Sequence, residues 1–185
     1  MILNFKKYLS YFIGILLSII LFLGAYGFIY GNFHQIDSNV YRSGQLFSFN
    51  MPYYLKKYKI KTVLNLRKIK PNKSWYQNEK KITDENNITL INYEISARKY
   101  LDFNHTSTIV KILKNAQKPI LIHCEGGADR TSLVSALYRY AVLHQSKEEA
   151  ENELSFIYGH VPIIRPKVIA MERSFYNYIE KDKKF

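Results

Sequence analysis

The stretch from Ile120 to Ser132 constrains this chain more than any other, because its residue order fits one local geometry. The apolar, largely β-branched residues Ile120, Leu121 and Ile122 read as a strand that runs into His123-Cys124. Gly126 and Gly127 follow, and Leu133, Val134, Ala136, Leu137 and Ala141 then recur with helical spacing. The reading is strand, tight loop, helix. Backbone N–H groups in such a loop lack strand or helix partners and can converge on an anion at the positive end of the helix. The glycines let the backbone curl closely around it. Arg130, six positions after Cys124, can add a planar two-pronged fork to two phosphate oxygens. The same field favours a thiolate at Cys124, the form that attacks. The candidate phosphate-binding residues are Glu125, Gly126, Gly127, Ala128, Asp129, Arg130 and Thr131, with Cys124 as nucleophile. A lone Cys also packs well as a small buried hydrophobe. Here the preceding His123, the glycines within the loop and the closing Arg130-Thr131 favour the nucleophile.

The segment His123-Cys124-Glu125-Gly126-Gly127-Ala128-Asp129-Arg130-Thr131-Ser132 resembles the His-Cys-x5-Arg-Ser/Thr signature of the cysteine-dependent protein tyrosine and dual-specificity phosphatases. It is most similar to small bacterial dual-specificity-like members, whose loops read His-Cys-x-x-Gly-x-Asp-Arg-Thr-Gly; Ser132 stands here where that pattern has Gly. Residues 32–45, 61–67, 95–97 and 137–160 resemble the same family, so the likeness spans about residues 32–175. It implies hydrolysis of phosphate monoesters through a phosphocysteine, with no metal and no cofactor. Thr131 is then expected to hydrogen-bond the sulfur, and His123 to orient the loop through a ring N–H. A sulfurtransferase of the rhodanese type also places Cys on such a turn, but the likeness outside the loop does not extend to it.

The general acid stays open at this level. Family members use an Asp on a separate loop about thirty residues before the Cys, where this chain has Asn92, Tyr93 and Glu94. Three candidates remain: Asp129 inside the loop, Asp102 on a separate stretch, and Glu94 at a strand end. Asp129 can equally be a salt-bridged structural carboxylate. Arg98 and Lys99 would make a basic lip over an anionic substrate, or are ordinary solvated charges. Arg42-Ser43-Gly44-Gln45 reads either as support behind the phosphate loop or simply as a turn.

A different signal occupies the amino terminus. From Tyr8 to Phe33 there is no Lys, Arg, Asp or Glu, and the centre from Ile13 to Leu23 is almost wholly apolar. The expectation is a membrane anchor over residues 1–31, a single transmembrane helix, ahead of a phosphatase domain over 32–185. Tyr8 and Tyr11 at one end, and Tyr26, Phe28, Tyr30 and Phe33 at the other, suit the two bilayer interfaces. A cleaved signal peptide is the rival reading, with Lys6-Lys7 as its basic region and Ala25-Tyr26-Gly27 as its cleavage site. With Lys6 and Lys7 on one flank, the positive-inside rule puts the amino terminus in the cytoplasm and the catalytic domain outside it, in a bacterium the periplasm. A single Cys, unable to form an intramolecular disulfide, is compatible with that compartment.

Between the landmarks, strands alternate with helices. Asn50 and Pro52 start a helix, residues 60–66 make a strand, and Ser74 opens a capping box. Residues 88–93 make the next strand and Asn104 caps a helix. Ser146 opens another capping box, and a last helix runs to about Lys181. The expected fold class is α/β, one domain with a mainly parallel central sheet flanked by helices. Beyond the anchor lie 25 basic and 15 acidic residues, a charge of +10 that draws anionic partners. Those partners are a phosphorylated protein or an anionic phospho-lipid or phospho-sugar; no basic-aromatic cluster reads nucleic acid. A tethered, non-catalytic phosphate binder is the third possibility, but it would have no need of Cys124.

Overall fold

The computed structural model describes residues 2–183, apart from the side chains of residues 2–6, 20, 23 and 25–28. The centre of the described fold is β5 (Ile120–His123), flanked in parallel by β2 (Val40–Ser43) and β3 (Thr62–Asn65). The sheet has five strands in the order β1-β2-β5-β3-β4, with β4 (Thr89–Asn92) parallel on one edge and β1 (His34–Gln35) antiparallel on the other. The register sets Ser43 and Asn65 on either side of His123. Three strands therefore stop at one level, and the residues that follow them, Gly44, Leu66 and Cys124, share the carboxyl end of the sheet. Parallel α/β sheets bind their ligands at that end.

Alternating residues of these strands feed two apolar layers. Val40, Leu64, Ile120 and Ile122 pack with α4 (Phe103–Asn115), α5 (Asp129–Ala141) and α7 (Ile169–Asp182). Tyr41, Val63 and Leu121 pack on the opposite face with residues of α2 (Met51–Lys57) and α3 (Ser74–Glu85). Each of the three central strands is buried along its whole length, which accounts for the apolar pairs Val40-Tyr41 and Val63-Leu64 and the run Ile120-Leu121-Ile122 within them. The expected α/β class and mainly parallel sheet are what the chain adopts.

Local details differ where side chains found better partners. Ser74 begins α3, but Lys73 occupies the cap position with no side-chain bond, so the expected capping box is absent there. Asp102, not Asn104, caps α4, accepting from the His105 backbone N–H at 2.9 Å. The Ser146 capping box forms as expected at α6 (Lys147–Glu151). Asn50 precedes α2 without capping it, because its amide donates to the Ile29 carbonyl at 2.8 Å and its oxygen accepts from the Phe47 N–H.

The amino-terminal segment is helical, α1 (Ile2–Tyr30). Among the described residues, however, no helix is long and apolar enough to cross a membrane, so the transmembrane expectation for 1–31 gains no support beyond that helical form. The side chains of Lys6, Tyr26 and Phe28, and the Ala25-Tyr26-Gly27 site, lie outside the described ones.

One of the large side chains fully buried among the described residues is charged. Arg42, with no solvent exposure, ion-pairs with the buried Glu153 and donates to the Ser132 hydroxyl at 2.8 Å and the Gly127 carbonyl at 2.9 Å. Its guanidinium also lies 3.7 Å from the centre of the Tyr158 ring. Replacing Arg42 by Met keeps much of the volume but takes a partner from Glu153, the Gly127 carbonyl and the Ser132 hydroxyl. The expected loss is about 3 kcal/mol, the low end for a broken buried pair because Arg139 still reaches Glu153. Urea denaturation of Arg42→Met at neutral pH measures it, and an unchanged midpoint would show that the pair does not carry this weight.

Candidate active site

Cys124 follows β5 and is 2% exposed; α5 begins five residues later at Asp129. What shapes the intervening loop is the direction of its carbonyls. Glu125 O accepts from Gln45 N–H at 3.0 Å, Gly126 O from the Asn32 amide at 3.1 Å, and Gly127 O from Arg42 at 2.9 Å. In a trans peptide the N–H points opposite to the C=O. Three carbonyls tied outward therefore turn the N–H groups of Gly126, Gly127 and Ala128 toward the inside of the loop, where an anion would sit.

Gly127 has φ +69°, and a Cβ there would lie 2.5 Å from Gly44 N and 2.7 Å from the Ser43 carbonyl carbon. Nothing larger than glycine fits that position. The Arg42-Ser43-Gly44-Gln45 segment is thus the wall behind the loop, not a passing turn. Ser132, the departure from the family pattern, also belongs to this wall, since its hydroxyl accepts from Arg42. Thr131 donates to the Ser43 carbonyl at 3.4 Å, a backbone partner in place of the sulfur expected for it.

Arg130 projects from the first turn of α5. Its Nη1 lies 3.5 Å from the Leu66 carbonyl and its Nη2 3.9 Å from the exposed carboxylate of Glu125. Its Nε is buried and has no hydrogen-bond partner among the described residues. Cys124 and Arg130 line one cavity of about 790 Å³, whose wall also carries Lys68, Arg98, Arg165 and Lys167. Of the two residues expected to form a basic lip, Arg98 lines the cavity and Lys99 does not; Arg165 and Lys167, which sequence reading passed over, add to it.

The three acid candidates separate clearly. Asp102 is absent from the cavity wall; it caps α4 and contacts the His105 ring at 2.8 Å. Hydrogen bonds from the His105 backbone and ring hold its carboxyl below the ordinary value. Glu94 lines the cavity and is exposed. Asp129 lines it too, but is 7% exposed and fully engaged. Its oxygens lie 2.8 Å from His160 Nδ1 and 2.9 and 3.3 Å from the two Arg165 nitrogens. His160 Nε2 in turn lies 3.2 Å from Glu172. A neutral imidazole carries one N–H, yet both ring nitrogens here face carboxylate oxygens, so full pairing requires one more proton in the cluster. His160, Arg165 and Glu172 come from α7 and the loop before it, at separations no local spacing reveals.

His123 reaches backward. Its Nδ1 lies 3.2 Å from the Cys124 carbonyl, and its Nε2 lies 2.9 Å from the buried carboxylate of Glu79 in α3. Glu79 also accepts from Gln45 at 3.0 Å; Gln45 accepts from Arg67 at 2.7 Å, and Arg67 stacks 3.6 Å over Trp75. Burial pushes the Glu79 carboxyl up, but attraction to His123 and hydrogen bonds from His123 and Gln45 outweigh it, so the group sits below its ordinary value. Trp75 is a packing anchor for Arg67.

A model of the tyrosine phosphatase family matches residues 29–158. The chain belongs to the tyrosine phosphatase family. No curated protein matches it. Among solved structures, TpbA of P. aeruginosa superposes with a TM-score of 0.62 at 21% identity, over 77% of this chain and 84% of that one. The core catalytic domain of the PP-IP phosphatase SIW14 from S. cerevisiae gives 0.61 at 19%, over 83% and 91%. PTPMT1 gives 0.58 at 16%, over 83% and 99%. These likenesses concern the fold.

The pH dependence of Glu79 follows from its direction of shift. A carboxyl lowered in the folded state adds stability above the unfolded value near 4.5 and loses it as pH falls through the folded value. Glu79→Gln should therefore cost about 1–3 kcal/mol at neutral pH and flatten the acid limb of the stability profile. Urea midpoints collected from neutral to acid pH test this; parallel wild-type and variant profiles would refute it.

Proposed function

We propose that the chain hydrolyses phosphate monoesters through a phosphocysteine formed on Cys124, as a phosphatase of the protein tyrosine or dual-specificity type. The observation that carries this reading is that Cys124 and Arg130, whose buried Nε has no partner among the described residues, line one cavity at a loop with its carbonyls turned outward. The thiolate attacks phosphorus and the ester oxygen leaves with the bonding pair. Water then displaces the sulfur and releases inorganic phosphate. Arg130 and the inward N–H groups hold the three non-bridging oxygens through both steps, stabilising charge as it develops. Thr131 and His123 fix the loop from behind.

We assign the leaving-group proton to Asp129, held as one unit with His160. Asp129 opens onto the cavity, and His160 lies between it and Glu172, a position from which a spent proton can be replaced. Release of phosphate from an activated aryl phosphate and from an alkyl phosphate tests both assignments together. Cys124→Ser should abolish turnover of both. Asp129→Asn should slow the alkyl ester by about a hundredfold or more and leave the aryl ester far less affected, because a good leaving group departs unprotonated. Equal losses on both esters would mean that Asp129 only holds the loop, and a selective loss in Glu94→Gln instead would move the acid to that residue.

We further propose that α1 anchors the domain to a membrane, with the amino terminus cytoplasmic and residues 32–185 outside the cytoplasm. Support comes from the sequence, in which the run Tyr8–Phe33 carries no Lys, Arg, Asp or Glu. The flanking Lys6 and Lys7 set the orientation. A phosphate carried on a membrane lipid or sugar is the second substrate reading, favoured by the anchor and by the +10 charge of the exported part. A reporter that works only outside the cytoplasm, fused after Phe185, should be active; activity of a cytoplasm-only reporter at that site would reverse the topology.

A further inference from the structure

The end of α1 is bonded directly to the catalytic loop. Two residues past Tyr30, Asn32 donates from one amide nitrogen to the carbonyls of Gly126 and Tyr158, at 3.1 and 3.0 Å. Gly31 O accepts from Gly44 N–H at 2.7 Å, and the His34 ring meets Tyr158 edge-on at 5.0 Å. On the other side of the helix end, Asn50 bonds the Ile29 carbonyl and the Tyr54 hydroxyl bonds that of Tyr30. Two residues of chain reach at most about 7 Å. A bilayer's polar layer is about 5–8 Å deep on each side, the difference between its total and hydrocarbon thickness. The phosphate loop therefore sits at headgroup level wherever α1 leaves the hydrocarbon.

The surface around that exit point is apolar where a soluble face would be polar. Tyr158 is preceded by Phe156 and Ile157, 76% and 68% exposed. The same loop continues to Ile163 and Ile164, 94% and 78% exposed, and is closed on itself by Arg165, which bonds the Gly159 carbonyl. Beside the helix end on the α2 side stand Phe49 and Tyr53, 66% and 58% exposed. Cations border both groups: Lys57 bonds the Tyr53 hydroxyl at 3.0 Å, and Lys167 is exposed next to the isoleucines. Aromatic and aliphatic tips bordered by Lys are the chemistry of a surface resting in a bilayer interface.

We propose that the loop of residues 156–167, with Phe49 and Tyr53, docks this domain onto an anionic bilayer, the one through which α1 passes. This rests on the anchor reading. The +10 charge of the domain complements anionic headgroups, and six large exposed side chains in two segments braced against one helix end exceed the scattered exposure of an ordinary surface. Docked so, the cavity opens among the headgroups, since Arg165 and Lys167 lie both on the docking loop and in its wall. Phosphate groups borne at the membrane surface are then within reach of Cys124 without the domain leaving the bilayer.

Tryptophan quenching by brominated lipid tests the contact on the full chain reconstituted into phosphatidylcholine–phosphatidylglycerol vesicles. In a Trp75→Phe background, Phe156→Trp and Ile163→Trp report on the loop. Asn115→Trp reports on the far end of the sheet, where α4 stops. Emission of the two loop variants should fall several-fold more than that of Asn115→Trp when brominated acyl chains replace ordinary ones. Equal or absent quenching at all three sites, with protein still floating with the vesicles, would overturn docking while leaving the anchor intact. Failure to float would overturn the anchor and the docking with it. Loop emission that is shielded from solvent yet insensitive to brominated lipid would assign the face to a second copy of the chain instead. Turnover of a soluble aryl phosphate confirms that each variant is folded.

Discussion

The catalytic loop depends on the buried guanidinium of Arg42. A loop that gathers N–H groups around an anion is unfavourable in the free enzyme, because like dipole ends point at one another and the carbonyls must find donors elsewhere. Arg42 supplies such a donor to Gly127 from inside the domain, where water cannot compete, and its own charge is balanced by Glu153. It also grips Ser132 in α5 and stacks against Tyr158, so one side chain fixes the loop, the helix after it and the segment beneath it. The register of the sheet makes this possible: β2 runs beside β5, and the residue that enters the core from β2 arrives directly under the turn.

The fold was legible where one local rule decided the outcome. The β-branched runs, the Ser146 capping box and the strand–loop–helix at Cys124 each contain their own cause, and they stand where the sequence placed them. The helix starts at Ser74 and Asn104 misled because several polar residues compete for each cap, and Asp102 was better placed than Asn104 to receive the His105 N–H. In the site, Cys124 and Arg130 were readable because only five residues separate them and one turn joins them. The supports of the loop were legible only in part. The segment Arg42-Ser43-Gly44-Gln45 was open between support and a turn, and it is the support. Glu79, Arg67, His160 and Arg165 meet the loop only through the tertiary fold, and each looks like an ordinary surface residue in its own segment. For Asp129 the sequence held two roles open, and its ion pairs with Arg165 and His160 show why: the same carboxylate is braced like a structural group and faces the cavity like a working one.

The distribution of partners among the cations explains why this cavity attracts phosphate, beyond the chain's general basicity. Arg42 is matched by Glu153, Arg165 by Asp129, and His123 lies against Glu79. Glu153 and Asp129 are buried, so each of the two arginine–carboxylate pairs is nearly neutral as seen from a short distance. Arg130 differs. Its nearest carboxylate, Glu125, is 3.9 Å away and largely in water, where its attraction is screened, and the buried Nε has no acceptor among the described residues. A buried N–H of a charged group without a partner is costly, and an arriving phosphate oxygen removes that cost. Arg130 is thus left without a close, buried carboxylate, beside the thiol that must meet the same phosphate. Binding and attack are placed together by this guanidinium, and neutralising it with a nearer carboxylate would weaken both at once.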